Sequence, residues 1–107
     1  MEELAKKLLD RINRLCIGFY YINENNIMKS AFELREDIEK LTGGLLVALG
    51  ADEESQQLRD YTLQVLSDYV EAASQKDEVL MIDTLDYGLR EIIGLYIDEE
   101  DDADHER

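Results

Sequence analysis

Few residues in this chain are of a type and spacing that could do chemistry. Asp83 and Asp86 lie three apart in a segment flanked mainly by apolar residues. Paired carboxylates take acid and base roles when burial drives their ionisation apart. On a helix, however, Asp86 reaches Arg90 and Asp83 reaches Tyr87, each four residues on. That spacing predicts a surface ion pair and a rim hydrogen bond rather than a catalytic dyad. Cys16 is the one cysteine. A thiol nucleophile needs a base to activate it, and the only histidine is His105, near the far end. Cys16 is therefore expected as a small core residue in a reducing compartment.

The same scarcity limits metal and phosphate chemistry. A carboxylate di-metal site in a helical bundle needs inward glutamates and Glu-x-x-His pairs, and zinc needs histidines or further cysteines. The acidic run 98–104 lacks the glycine-centred loop of an EF-hand. Gly43-Gly44 lacks the Lys-Ser/Thr that follows a phosphate loop. No catalytic, cofactor-binding or metal-ligating residue is expected, and the chain reads as non-enzymatic.

Recognition is the chemistry that remains. Leu80, Met81, Tyr87 and Leu95 fall off the main apolar stripe of their helix, and Thr84 and Gly88 between them are small enough to admit a close neighbour. Leu80, Met81, Thr84, Tyr87, Gly88 and Leu95 form the candidate interaction surface. The alternative is that the other helices of the same chain cover them. Six tyrosines and no tryptophan point the same way, because a tyrosine ring buries area while its hydroxyl keeps a polar contact at the edge of a core.

Four amphipathic segments must position these residues. Leu4, Leu8, Ile12, Leu15, Phe19 and Ile22 step by threes and fours, which predicts a helix from about 2 to 22. It stops in Asn23-Glu24-Asn25-Asn26, with Asn25 or Asn26 as the next N-cap. Ile27, Ala31, Leu34, Ile38, Leu41, Leu45 and Leu49 form the second stripe. Its phase survives Gly43-Gly44, so the helix is expected to continue to Gly50. The third stripe follows Asp52 or Ser55 as cap and runs Leu58, Tyr61 or Thr62, Val65 or Leu66, Tyr69 and Ala73. Asp77 caps the fourth, with Val79, Ile82, Leu85, Leu89, Ile92 and Tyr96. That helix is apolar on a second side too, so it is either central or partly covered by another chain.

Short turns between helices of about 20 residues make neighbours antiparallel. The expected fold is all-α, an antiparallel up-down four-helix bundle: one domain over 1–97, in two hairpins at about 2–49 and 52–97. An offset of 51 residues aligns the stripes of the two hairpins, Asn26 with Asp77 and Gly43 with Gly94. Met1-Glu2-Glu3 has the wrong sign for the start of a signal peptide and the apolar runs are short, so neither a signal peptide nor a membrane span is expected.

Charge separates the halves. The net charge is −15. Residues 1–49 carry 8 acids and 7 bases, residues 50–97 carry 11 and 3, and residues 98–107 carry 7 and 1. The last ten residues bury too little to offset their ordering entropy, which predicts a disordered acidic tail, solubilising or docking to a basic partner. Binding to nucleic acid through its phosphates is excluded by the same balance.

Gln75-Lys76-Asp77-Glu78-Val79-Leu80-Met81-Ile82-Asp83-Thr84-Leu85-Asp86-Tyr87-Gly88-Leu89 resembles a signature of small uncharacterised acidic helical-bundle proteins from Firmicutes-type bacteria. Their pattern is an aspartate, an apolar run, aspartate-leucine and an acidic-tyrosine pair. The stretch from Ala31 to Leu49 is similar to their second helix, and the resemblance spans about residues 8–97. It implies a helical bundle in a bacterial cytoplasm and carries over no catalytic residue. In size and acidity the chain is also similar to flagellar and secretion chaperones.

The expected function is a cytoplasmic protein-interaction module, an adaptor or chaperone-like bundle with a protein partner, which the charge favours as basic. A homodimer is the other use of the same surface. The alternative is an acidic inhibitor or nucleic-acid mimic that occupies the basic groove of a nuclease or DNA-binding protein.

Overall fold

The computed structural model describes residues 2–22 and 26–105, with side chains as far as residue 97. The fold is all-α, with no strand among the described residues. The chain runs through α1 (Glu2–Ile17), a π-helical turn (Gly18–Ile22), α2 (Ile27–Phe32) and α3 (Arg35–Leu49). A 3-10 turn (Glu53–Ser55) leads into α4 (Gln56–Gln75), followed by α5 (Glu78–Asp83), a second π-helical segment (Thr84–Leu89) and α6 (Arg90–His105). The Cα envelope measures 41 × 37 × 19 Å, two helix layers thick at the usual separation of about 8–10 Å.

The first stripe behaves as its spacing predicts until residue 17. Leu8, Ile12 and Leu15 are buried, with Ala5 and Cys16 beside them. The π turn then adds a residue to the helical repeat and rotates later side chains out of register. Gly18 is buried and Ile22 is 64% exposed, so Ile22 leaves the core face it was expected to share. Residues 23–25, where the turn and one candidate cap fall, lie outside the described residues. Asn26 precedes α2 without a side-chain capping bond.

The second stripe is buried from Ile27 to Leu45, but its helix is not straight. Glu33 and Leu34 form a break between α2 and α3, where the Leu34 N–H turns back three residues to the Ala31 carbonyl at 3.1 Å. The helix continues through Gly43-Gly44 as expected. A Cβ at Gly43 would meet nothing within 4 Å, so no neighbour's approach requires that glycine. Gly50 stops the helix with φ of 69°, a conformation that suits glycine.

Neither Asp52 nor Ser55 makes a side-chain cap, because the 3-10 turn already winds the chain into α4. Asp77 does cap: its Oδ1 accepts from the Leu80 N–H at 3.1 Å.

In α4 the buried face is Thr62, Val65, Tyr69 and Ala72, whereas Leu63 and Val70 are about half exposed or more. The repeat with an offset of 51 therefore fails between the first and third helices. It holds between the second and fourth, where Ala31, Leu34, Ile38, Leu41 and Ile82, Leu85, Leu89, Ile92 are all buried.

α5, the second π segment and α6 follow one another as a last rod, which touches the rods of α1, of α2 with α3, and of α4. α5 packs on α2 and α4, the second π segment on α4 and α1, and α6 on α1. Met81, Ile93 and Ile97, off the main stripe, are buried by these neighbours. α6 runs to His105, where composition predicts an unstructured tail from residue 98. Once a helix is nucleated each further residue adds a hydrogen bond, and no glycine or proline follows Gly94 to interrupt it. Residues 106 and 107 lie outside the described residues.

Candidate functional site

Tyrosine hydroxyls join the rods. Tyr69 of α4 donates to the Ala31 carbonyl at 2.8 Å, and Tyr96 of α6 donates to the Leu41 carbonyl at 2.9 Å. Tyr61 of α4 donates to Glu91 Oε1 at 2.8 Å and lies 3.4 Å from the Gly88 carbonyl. Burial pushes the Tyr69 phenol up to about 12. Burial and the bond to Glu91 do the same for Tyr61.

The flank where α4 meets the last rod is the acidic one. Gly88 sets how close they come, because a Cβ there would stand 3.0 Å from Val65 Cγ2. Two adjoining depressions of about 310 and 400 Å³ share Tyr61. Leu80, Thr84, Tyr87 and Gly88 line the first, with Gln64, Val65, Asp68 and Asp83. Leu58, Glu91, Ile92, Gly94 and Leu95 line the second. Asp68, Asp83 and Glu91 put three carboxylates on this flank, and no lysine or arginine lines either depression. Gln64 Nε2 donates to Asp68 Oδ1 at 2.9 Å.

Five of the six residues expected at an interaction surface line these two depressions. Tyr87 is 66% exposed and Leu95 is 54% exposed. Thr84 is mostly buried and its hydroxyl is committed to the Leu80 carbonyl at 2.8 Å. Met81 is the correction: it is wholly buried, because α2 and α4 close over that side of α5. Tyr61, Gln64, Asp68 and Glu91 escaped the reading of a single helix. Their polar positions in α4 and α6 carried the only signal.

Asp86 and Arg90 form the expected ion pair at 2.7 Å, and Arg90 also bonds the Asp86 carbonyl at 2.9 Å and Asn13 Oδ1 at 2.8 Å. Asp83 and Tyr87, both exposed, make no hydrogen bond to each other. Cys16 is buried behind the ion pair. Burial, reinforced by the Asp86 charge and opposed by Arg90, pushes its thiol up to about 11. A thiol so raised is protonated at neutral pH.

A second groove runs along the other side of α4, where Phe32 of α2 and Val70 of α4 are 51% and 63% exposed. It drew no attention in the sequence because neither residue lies on a buried stripe.

Among the described residues no helix is long and apolar enough to cross a membrane. Among the described residues no group of three or more His, Cys, Asp or Glu is placed to hold a metal ion. No family model, curated protein or solved structure matches the chain.

Proposed function

We propose that the chain is a non-enzymatic interaction module, a small adaptor or chaperone-like bundle of the bacterial cytoplasm. It docks a basic amphipathic segment of a protein partner on the acidic flank of α4. The observation that carries this reading is the set of Asp68, Asp83 and Glu91 around half-buried Leu80 and exposed Tyr87 and Leu95, with no cation lining the surface. Apolar side chains of the segment take the floor, and its lysines or arginines meet the carboxylates and the exposed tyrosine ring. The resemblance to small acidic bundles of Firmicutes-type bacteria supports the setting.

The rods are read as an antiparallel up-down bundle of four. The first rod packs on the second and fourth, and the third also packs on the second and fourth, which supports that order.

The test is a titration of 15N-labelled protein with an amphipathic helix of leucines and lysines. Amide shifts confined to the surroundings of Tyr61, Leu80, Tyr87 and Leu95 are expected, with Tyr87→Ala weakening binding by about tenfold. Shifts elsewhere, or none, overturn the reading. Binding that collapses with added salt favours the second reading, an acidic inhibitor or nucleic-acid mimic, which the excess of 11 acids over 3 bases in residues 50–97 supports. Shifts that grow with protein concentration alone identify a second copy as the occupant.

A further inference from the structure

The groove on the far side of α4 has the opposite electrostatic character. It comprises two adjoining apolar depressions of about 370 and 350 Å³, which share Phe32 and Ala73. Ile38, Leu66, Tyr69 and Val70 floor one, and Met28 the other. Lys29, Arg35 and Lys76 stand around them, against Glu33 and Glu39. In a chain of net charge −15 this is a local excess of positive charge.

Those cations are also free of ion pairs among the described residues. Lys6, Lys7, Arg11, Arg14 and Arg90 all have carboxylate partners. Lys29, Arg35 and Lys76 have no ion-pair partner among the described residues. The Arg35 guanidinium lies 5.9 Å from the centre of the Phe32 ring, which holds its charge over the apolar wall. Lys76 sits at the end of α4 in the left-handed conformation, with φ of 55°.

Dimensions decide between a small molecule and a chain. A small-molecule site encloses most of its ligand, whereas this groove lies open at the surface. Its walls run from Met28 to Glu39 and from Leu66 to Lys76, about 15 Å of helix on each side. That length seats about three turns of a docked helix, with two apolar anchors for the two depressions.

The geometry points to this groove as a docking site for an acidic amphipathic helix of a protein partner. Apolar side chains on one face of that helix fill the depressions beside Phe32 and Val70. Its flanking glutamates or aspartates meet Lys29, Arg35 and Lys76. This site is separate from the acidic flank and takes a ligand of opposite charge, so one helix, α4, serves two docking surfaces.

The experiment titrates 15N-labelled protein with a helix of leucines and glutamates, and separately with its leucine–lysine twin. The acidic helix is expected to shift amides within 28–39 and 66–76 and leave Tyr87 and Leu95 unmoved. Lys29→Glu combined with Lys76→Glu is expected to weaken it by about tenfold and to admit the lysine twin to the same groove. Val70→Asp, at an exposed position that leaves the core untouched, is expected to remove binding with the circular dichroism unchanged. The inference is overturned if the acidic helix shifts nothing in this groove while the protein is folded. It is overturned equally if the two peptides bind the groove alike, or if sodium dodecanoate reproduces the shifts and displaces the helix. Failure here leaves the acidic-flank reading standing, because that one is read with the lysine peptide at Tyr61, Tyr87 and Leu95.

Discussion

The Tyr69 hydroxyl donates to the Ala31 carbonyl across the interface between α4 and the break separating α2 from α3. The same carbonyl accepts the shortened turn from the Leu34 N–H. A helix that changes direction exposes carbonyl groups to other donors, and here a tyrosine 38 residues later supplies one. Phe32 and Arg35, next to this junction, line the groove beside α4 together with Tyr69.

Tyr69→Phe is expected to cost about 1 kcal/mol at neutral pH through loss of that buried bond. It also bears on alkaline stability. The Tyr69 and Tyr61 phenols sit near 12 in the folded chain against 10.0 unfolded, so the folded state holds its protons longer. Their contribution is complete below about pH 10 and is lost as pH rises toward about 12. Urea melts of both proteins at neutral pH and near pH 11 check this. A mutant that loses stability as steeply as the parent sinks the assignment to Tyr69.

Gly43 and Gly88 are both helical, yet alanine should act on them in opposite directions. Nothing lies within 4 Å of a Cβ at Gly43, so Gly43→Ala is expected to stabilise by about 0.5–1 kcal/mol through helix propensity. At Gly88 the Cβ meets the stiff, buried Val65 at 3.0 Å. Gly88→Ala is expected to destabilise by about 1 kcal/mol as α4 is pushed away. Paired thermal melts read both signs.

Cys16 should resist alkylation. A thiol raised from 9.0 to about 11 holds about a hundredfold less thiolate at neutral pH, and burial slows access further. Iodoacetamide labelling followed by mass spectrometry is expected to be slow in buffer and fast in urea. Equal rates in both would contradict the buried placement.

Arg90→Met should lower stability by about 1–2 kcal/mol, since it leaves Asp86, 20% exposed, without its cation and Asn13 without its donor. Denaturant midpoints read the loss. Asp86→Asn is expected to cost less, because an amide accepts from Arg90 without burying an unpaired charge.

Legibility in the sequence differed by element. The stop at Gly50, the cap at Asp77 and the Asp86–Arg90 pair depend on residues at most four apart and were readable. Exposure off the stripe was partly readable: Tyr87 and Leu95 are exposed as their positions suggested, but Met81 is not. Which off-stripe residue a neighbour covers depends on where α2 and α4 lie, and no local spacing encodes that. The groove beside Phe32 needs two exposed residues from helices far apart in sequence to meet.

By itself the sequence determined an all-α chain, most of the stripes that α1 to α3 and α5 to α6 bury (Ile22 and Val79, placed on them, are 64% and 60% exposed), and an acidic second half. These follow from helical periodicity and from side-chain charge, which are local properties. Only the tertiary structure decided that the rods are broken by π segments at Gly18–Ile22 and Thr84–Leu89 and by a turn at 33–34. The first break turns Ile22 out of the stripe, whereas Ile38 and Ile92 stay buried beyond the other two, so packing against the facing helix selects the register. It also decided that α4 is flanked by one groove lined by no lysine or arginine and one rimmed by cations that make no ion pair among the described residues. The walls of each groove come from separate rods, so its charge and shape exist only once those rods have packed.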